Sequence, residues 1–267
     1  MFVGPAIFPT SYVAPLYLRA IAQHPAIIRI KRRGTELMRL RRGCTILDIG
    51  CGPGTDTISR AHLVGRGGRV VGIDIDPTMV AGANRSALYA GVRGWTHHQV
   101  ANSAAIPFWN ASFDASYSER LIQHLPRPAA IATIREAARV TKPGGWIVFV
   151  DTDWATLSID SDPIDLSIER RICYWHLQRF ANACSGRELY RMFRERGIGN
   201  VSYELFNVPL GYGYIIGLLR ATGGAALAMG LITIPEWGRW QRSLSYRNRS
   251  GKFFAHLSMV VVAGQKL

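Results

Sequence analysis

Lysine is nearly missing from this chain. Among 267 residues there are four lysines against twenty-eight arginines, and eighteen acidic residues face thirty-two basic ones, for a net charge of +14. Such an excess invites nucleic acid, anionic lipid or phosphorylated partners. The arginine bias is nevertheless what a GC-rich coding genome produces without selection for function, so a generally basic enzyme is the plainer reading. Cysteine is scarce too. Cys44, Cys51, Cys173 and Cys184 are too few and too irregularly spaced for a disulfide framework or paired metal knuckles, and a reducing, cytoplasmic setting is expected. The start of the chain lacks the charged segment and uninterrupted apolar run of a secretory leader. No metal site is expected: there is no His, Cys, Asp and Glu cluster at ligand spacing, and His97 and His98 on one strand point to opposite faces. The nearest approach to a membrane span, 208–234, carries Arg220 in its middle. A charge at that depth is costly, so stable insertion is not expected and a buried or lid-like segment is favoured.

What is present is a hydrophobic content of 48%, enough for one main domain with insertions. Residues 14–40 read as one or two helices interrupted at Pro25. The second piece carries Arg29, Lys31, Arg32, Arg33, Arg39, Arg41 and Arg42, either a solvated face or a peripheral contact with anionic lipid. From Thr45 onward short apolar runs alternate with helical stretches, the pattern of a parallel sheet covered on both sides. Strands are expected at 45–49, 69–73, 96–100, 113–117, 146–150, 200–206 and 256–263, and helices near 55–63, 77–90, 128–140 and 186–196. The expected fold class is α/β, a seven-stranded mostly parallel sheet flanked by helices. Its expected organisation is an N-terminal helical cap over 1–43, an α/β core over 44–151, a cap insertion over 152–185, and the rest of the core over 186–267 with a lid insertion at 207–255. Insertions of this length inside a compact domain usually carry function.

The first strand runs into Gly50-Cys51-Gly52-Pro53-Gly54, and Asp74 closes the second strand, where a carboxylate can accept both hydroxyls of a ribose. A dinucleotide-binding G-x-G-x-x-G would need glycine where Thr55 stands. The pattern is instead D-x-G-x-G-x-G from Asp48, and an acid beside the loop suits a ligand with an ammonium group better than a diphosphate. Here the chain resembles the class I S-adenosylmethionine-dependent methyltransferases, in particular the group acting on small molecules such as quinones and polyketides. The resemblance covers about Thr45 to Asp153 in four ordered motifs: LDIGCGPGTD, VVGIDIDPTMV, VANSAAIPFWNASFDASYS and REAARVTKPGGWIVFVD. It implies a Rossmann-like fold and S-adenosyl-L-methionine as cofactor. Asp48, Gly50, Gly52 and Gly54 would wall its methionine part, Asp74 would hold the ribose, and Ile75 and Met79 would lie against the adenine. In the third motif Asn102 stands for the family's aspartate and Ser103 for an alanine. Asn102 can still accept from the adenine amino group, without charge assistance and at a cost of about 1 kcal/mol.

Methyl transfer from a sulfonium is an in-line displacement that needs alignment, and a base only where the acceptor is protonated. The segment after the fourth strand resembles the family's methyl-flanking region. It implies that the backbone around Ser118 contacts the cofactor and that His124 lies near the acceptor, as a general base or as a packed, hydrogen-bonded residue. Asp151 and Asp153 are further catalytic candidates, expected with Trp154 at the end of the fifth strand and facing the same cavity. Their competing role is to bond the loop backbone. His176 and Tyr246 are weaker candidates within the insertions. No N-P-P-Y-type motif or target-recognition region is present, so nucleic acid is not an expected partner. The insertions are apolar and aromatic, with Tyr212, Tyr214, Trp237 and Trp240 among them, which points to a hydrophobic small-molecule acceptor. Arg239, Arg242, Arg247, Arg249 and Lys252 are bunched together and could meet an anionic group on it. The expected activity is O- or C-methylation in secondary metabolism. A cyclase of the same fold that binds the cofactor without consuming it, and a non-enzymatic membrane-associated or scaffolding protein, are the alternatives; homo-oligomerisation is left open.

Overall fold

The computed structural model describes residues 23–267. The first part of the predicted N-terminal helical region lies outside them. The piece after the proline forms α1 (Pro25–Leu37), with the proline in the first turn, where its missing N–H costs nothing, and the His24 ring accepting from Ala26 N at 3.2 Å. The chain continues as β1 (Thr45–Ile49), α2 (Thr55–Val64), β2 (Arg69–Asp74), α3 (Pro77–Tyr89), β3 (Thr96–Val100), β4 (Phe113–Glu119), α4 (Arg127–Val140), β5 (Thr141–Ile159), α5 (Leu166–Leu177), α6 (Ser185–Arg194), β6 (Gly199–Pro209), α7 (Tyr212–Ala228), α8 (Ile234–Arg249) and β7 (Ala255–Gln265).

The strands form one seven-stranded sheet in the order β3-β2-β1-β4-β5-β7-β6. β7 runs antiparallel to both of its neighbours and the other pairings are parallel. This is the mostly parallel, Rossmann-like sheet that the sequence implied. Adjacent residues of each strand feed opposite cores: Ile46, Val70 and Val148 pack on the side of α1, and Leu47, Val71 and Ile147 on the side of Ile134 in α4 and Phe193 in α6. The strand order reverses between β1 and β4. The loops leaving these two strands therefore diverge, opening a crevice at their carboxyl ends.

β5 is much longer than the predicted 146–150. It pairs with β7 as far as Ile159↔Ala255, with a bulge between Asp153 and Ser158, so the insertion boundary drawn at 152 falls inside a strand. Asp151, Thr152 and Asp153 read as a polar strand end, but all three are buried, both carboxylates are hydrogen-bonded, and the strand runs on through them. Likewise residues 207–209 complete β6 and residue 255 opens β7, which narrows the long connection to α7 and α8. These two helices pack with α5, and Ile168, Ile172, Ile215, Leu219, Trp240 and Leu244 extend the α1-side core. No helix among the described residues is long and apolar enough to cross a membrane.

Candidate functional site

The glycine loop is shaped by three left-handed residues, Gly50, Gly52 and Gly54, with φ of 75°, 51° and 79°. Gly50 N and Cys51 N donate to Ile73 O, folding the loop over the end of β2. The glycines differ in purpose. A Cβ on Gly54 would lie 2.8 Å from the Ala83 methyl, so this glycine serves the packing of α2 on α3; a Cβ on Gly52 would meet no protein atom within 4 Å. The space above Gly52 is thus open to a ligand, beside the uncapped amino end of α2. Asp74 is fastened to the same loop: Oδ2 accepts from Gly52 N at 2.9 Å and Oδ1 from Asp76 N at 3.0 Å. Next to it Ile75 is 68% exposed and Met79 half-buried, so apolar surface is laid out at the end of β2.

The remaining expected cofactor residues are placed differently. Asp48 is buried and ion-paired with Arg60 at 3.1 Å, and the Arg60 guanidinium is itself buried with its carbon 3.5 Å from the Tyr117 ring centroid. Burial pushes the Asp48 carboxyl up to about 7 against the pull of Arg60. Its electrostatic partner is therefore an arginine of α2, an assignment with no local signal in the sequence. Ser118 Oγ donates to Ile49 O at 2.9 Å, tying β4 to β1 and leaving its backbone for contact with a ligand. Asn102 Oδ1 accepts from Ala104 N in a local turn at an exposed position, and Ser103 Oγ lies 2.9 Å from Thr133 Oγ of α4.

Asp151 and Asp153, expected to face the acceptor, are both buried and held by separate partners. Asp151 Oδ2 accepts from Ile122 N at 2.8 Å and Gln123 N at 3.3 Å, and Oδ1 from Thr152 N at 2.9 Å, so the carboxylate pins the short 3₁₀ turn Ile122–His124. Burial pushes it up to about 7. Asp153 is held by both Nε and Nη2 of Arg187 in α6. Both carboxylates are buried; the backbone-bonding role fits Asp151, whereas Asp153 is ion-paired with Arg187. The pinned turn presents Gln123 and His124. Gln123 Oε1 accepts from Trp154 Nε1 at 3.0 Å, and Gln123 Nε2 lies 3.0 Å from His124 Nε2. Phe180 stacks on Trp154 with ring centroids 4.8 Å apart and lies 5.9 Å from His124. His176 closes the aromatic group edge-on to Trp154 at 5.1 Å; its Nδ1 is 3.1 Å from Thr222 Oγ, while its buried Nε2 has no partner. Desolvation holds the His176 imidazole down at about 4, and it holds His124 below its usual value with help from Arg120. His124 is solvent-exposed, unlike His176. Gln123, Phe180 and Thr222 were not predicted: they come from three separate segments that only the fold brings together.

Two members of the basic cluster of the second insertion are ion-paired within the protein. Arg247 pairs with Asp160 and Asp162 at 2.6 and 2.5 Å, and Arg239 with Asp165 at 2.8 Å. These carboxylates lie between β5 and α5, so the two arginines join the insertions to each other, and the expected meeting with an anionic acceptor finds no support at either. Tyr246 is exposed. Among the described residues no group of three or more His, Cys, Asp or Glu side chains gathers for a metal ion. A groove of about 600 Å³ lined by Arg69, Arg85 and Arg93 opens at the amino ends of β2 and β3, the end of the sheet away from the glycine loop.

A family profile described as a methyltransferase domain matches residues 46–145. A 37.1 kDa protein from a transposon of Streptomyces fradiae, itself uncharacterised, is 30% identical over 254 residues, covering 93% of this chain and 70% of that one. Demethylmenaquinone methyltransferase of Staphylococcus aureus is 28% identical over 190 residues, 66% of this chain and 76% of that protein. An arsenite methyltransferase and an O-methyltransferase of ubiquinone biosynthesis match over only 42% and 43% of their own lengths. The crystal structure of a (4+2) cyclase superposes with a TM-score of 0.61 at 17% identity, covering 96% of this chain and 93% of that one. With the glycine loop, the switch-point crevice and these relatives together, the chain belongs to the class I S-adenosylmethionine-dependent methyltransferases.

Proposed function

We propose that the protein transfers the methyl group of S-adenosylmethionine to a hydrophobic small molecule, as an O- or C-methyltransferase of secondary metabolism. The observation that carries this reading is the open glycine loop with Asp74 fastened to it, at the carboxyl ends of β1 and β2 beside the point where the strand order reverses. Bound there, S-adenosylmethionine would supply an electrophilic methyl group. The chain's own part would be to hold the ribose through Asp74, to place the adenine against Ile75 and Met79 beside Asn102 and Ser103, and to line the acceptor up with apolar rings that exclude water. The carbons of such an acceptor would be recognised by α5, α7 and α8 acting as a cap. Arg239 and Arg247 are engaged in ion pairs within the protein, so neither supports an anionic acceptor. Four free cysteines fit a reducing, cytoplasmic setting.

Calorimetry with S-adenosylmethionine tests the site. Wild type is expected to bind and Asp74→Ala to show no measurable binding; full-strength binding by the variant would refute the assignment. The likeness to a cyclase over nearly the whole chain supports a second reading, in which the cofactor is held but not consumed. Formation of S-adenosylhomocysteine in step with turnover of the acceptor separates the two, because only methyl transfer produces it.

A further inference from the structure

Trp154 and Gln123 assign the tautomer of His124. An indole N–H can only donate, and that of Trp154 does so to Gln123 Oε1 at 3.0 Å. The contact orients the amide and leaves its Nε2, a donor only, 3.0 Å from His124 Nε2. Two donors cannot face each other at that distance. His124 Nε2 is therefore the accepting nitrogen, and the proton of the neutral ring sits on Nδ1. The opposite amide orientation would set the Gln123 NH₂ against the indole N–H and lose the Trp154 bond, so it is the indole that fixes the amide. The turn has little freedom to relax, because Asp151 holds Ile122 N and Gln123 N, and Asn182 N donates to Gln123 O at 3.0 Å.

We propose that His124 is a hydrogen-bond donor to the acceptor through Nδ1–H, with Gln123 and Trp154 as positioning residues, and not the proton-accepting base. Among the described residues no group accepts from His124 Nδ1, and the side chain is exposed beside the Phe180 ring, so this N–H is left to solvent or to a ligand. The chemistry it selects is an acceptor with an electron-rich oxygen at the reacting end: an ionised phenol or enol, or a carbonyl whose adjacent carbon takes the methyl. A neutral N–H supports negative charge on such an oxygen without having to lose a proton. The surroundings keep the ring neutral. Arg120 stands on the same segment; from β5, Asp151 is occupied by backbone N–H groups and Asp153 by Arg187 of α6; beyond Phe180, His176 and Arg179 share Thr222. The consequence for the acceptor rests on the methyl-transfer reading, whereas the tautomer does not.

Long-range ¹H–¹⁵N spectra of the full-length protein test the assignment. His124 is expected to show a protonated Nδ1 and an unprotonated Nε2, and 4-nitrophenolate, as a small oxyanion probe, is expected to perturb Nδ1 alone. In Gln123→Glu the carboxylate accepts from both the indole and the ring. The proton should then move to Nε2 and the His124 titration should rise by about one pH unit or more. Should that variant fail to fold, Trp154→Phe frees the amide to turn and should populate both tautomers. A wild-type ring protonated at Nε2, an unchanged ring in the folded variants, or no response of Nδ1 to the probe would overturn the proposal. Calorimetry with S-adenosylmethionine on the same samples reports separately on methyl transfer: absent binding with the expected tautomer would sink that reading and leave the assignment standing.

Discussion

Gly52 and Gly54 lie two residues apart in one loop, yet their substitution should have different results. Alanine at Gly52 fits the fold at a cost of about 1 kcal/mol for the left-handed backbone, because its Cβ meets nothing within 4 Å. Gly52→Ala should therefore fold while binding S-adenosylmethionine at least tenfold more weakly by calorimetry. Gly54→Ala drives a methyl into Ala83 and should show as lost stability first. Asp48 supplies a second residue-scale test. Its carboxyl ordinarily titrates at 3.8 and in the fold at about 7, so between these values the native state binds the extra proton. Stability from this group is then full at low pH and is lost as pH rises through the folded value. Denaturant melts should show wild type losing more stability than Asp48→Asn between pH 4 and pH 7.

At the scale of elements, the candidate site hangs on joints between segments. Asp151 of β5 fixes the 3₁₀ turn by three backbone N–H groups, and an amide there would face one donor with another. Asp151→Asn should cost about 1–3 kcal/mol in chemical denaturation and broaden the His124 resonances, since the turn loses its anchor. Asp153 and Arg187 join β5 to α6. Removing the half-exposed arginine strands a buried carboxylate, so Arg187→Ala should cost about 2 kcal/mol, and the double variant with Asp153→Ala should cost less than the sum of the singles.

For the molecule as a whole, the net charge of +14 carries less functional meaning than its size suggests. Arg33 pairs with Glu204 across two elements, Arg171 with Glu236, and Arg239 and Arg247 with the carboxylates ahead of α5, so these arginines hold helices to the sheet and the insertions to each other. Arg247→Gln should leave the KM for any acceptor unchanged and shift only the thermal midpoint. A marked rise in KM would restore the arginine to substrate binding.

The sequence by itself determined the seven strands, the class of fold and the glycine loop, because each rests on local rules: apolar runs of strand length, glycines where the backbone turns left-handed, and an acid at a strand end. Thr45–Ile49, Gly50 to Gly54 and Asp74 were legible for that reason. The far end of β5 was not, since its polar residues are satisfied by partners on α6 and the 3₁₀ turn. Nor could the sequence say that Asp48 faces Arg60, that Arg247 faces Asp160, or that Trp154 reaches Gln123, pairings that span 12, 87 and 31 residues. Tertiary structure alone decided them, because a buried polar group takes whichever partner the packing brings within 3 Å, however distant in the chain.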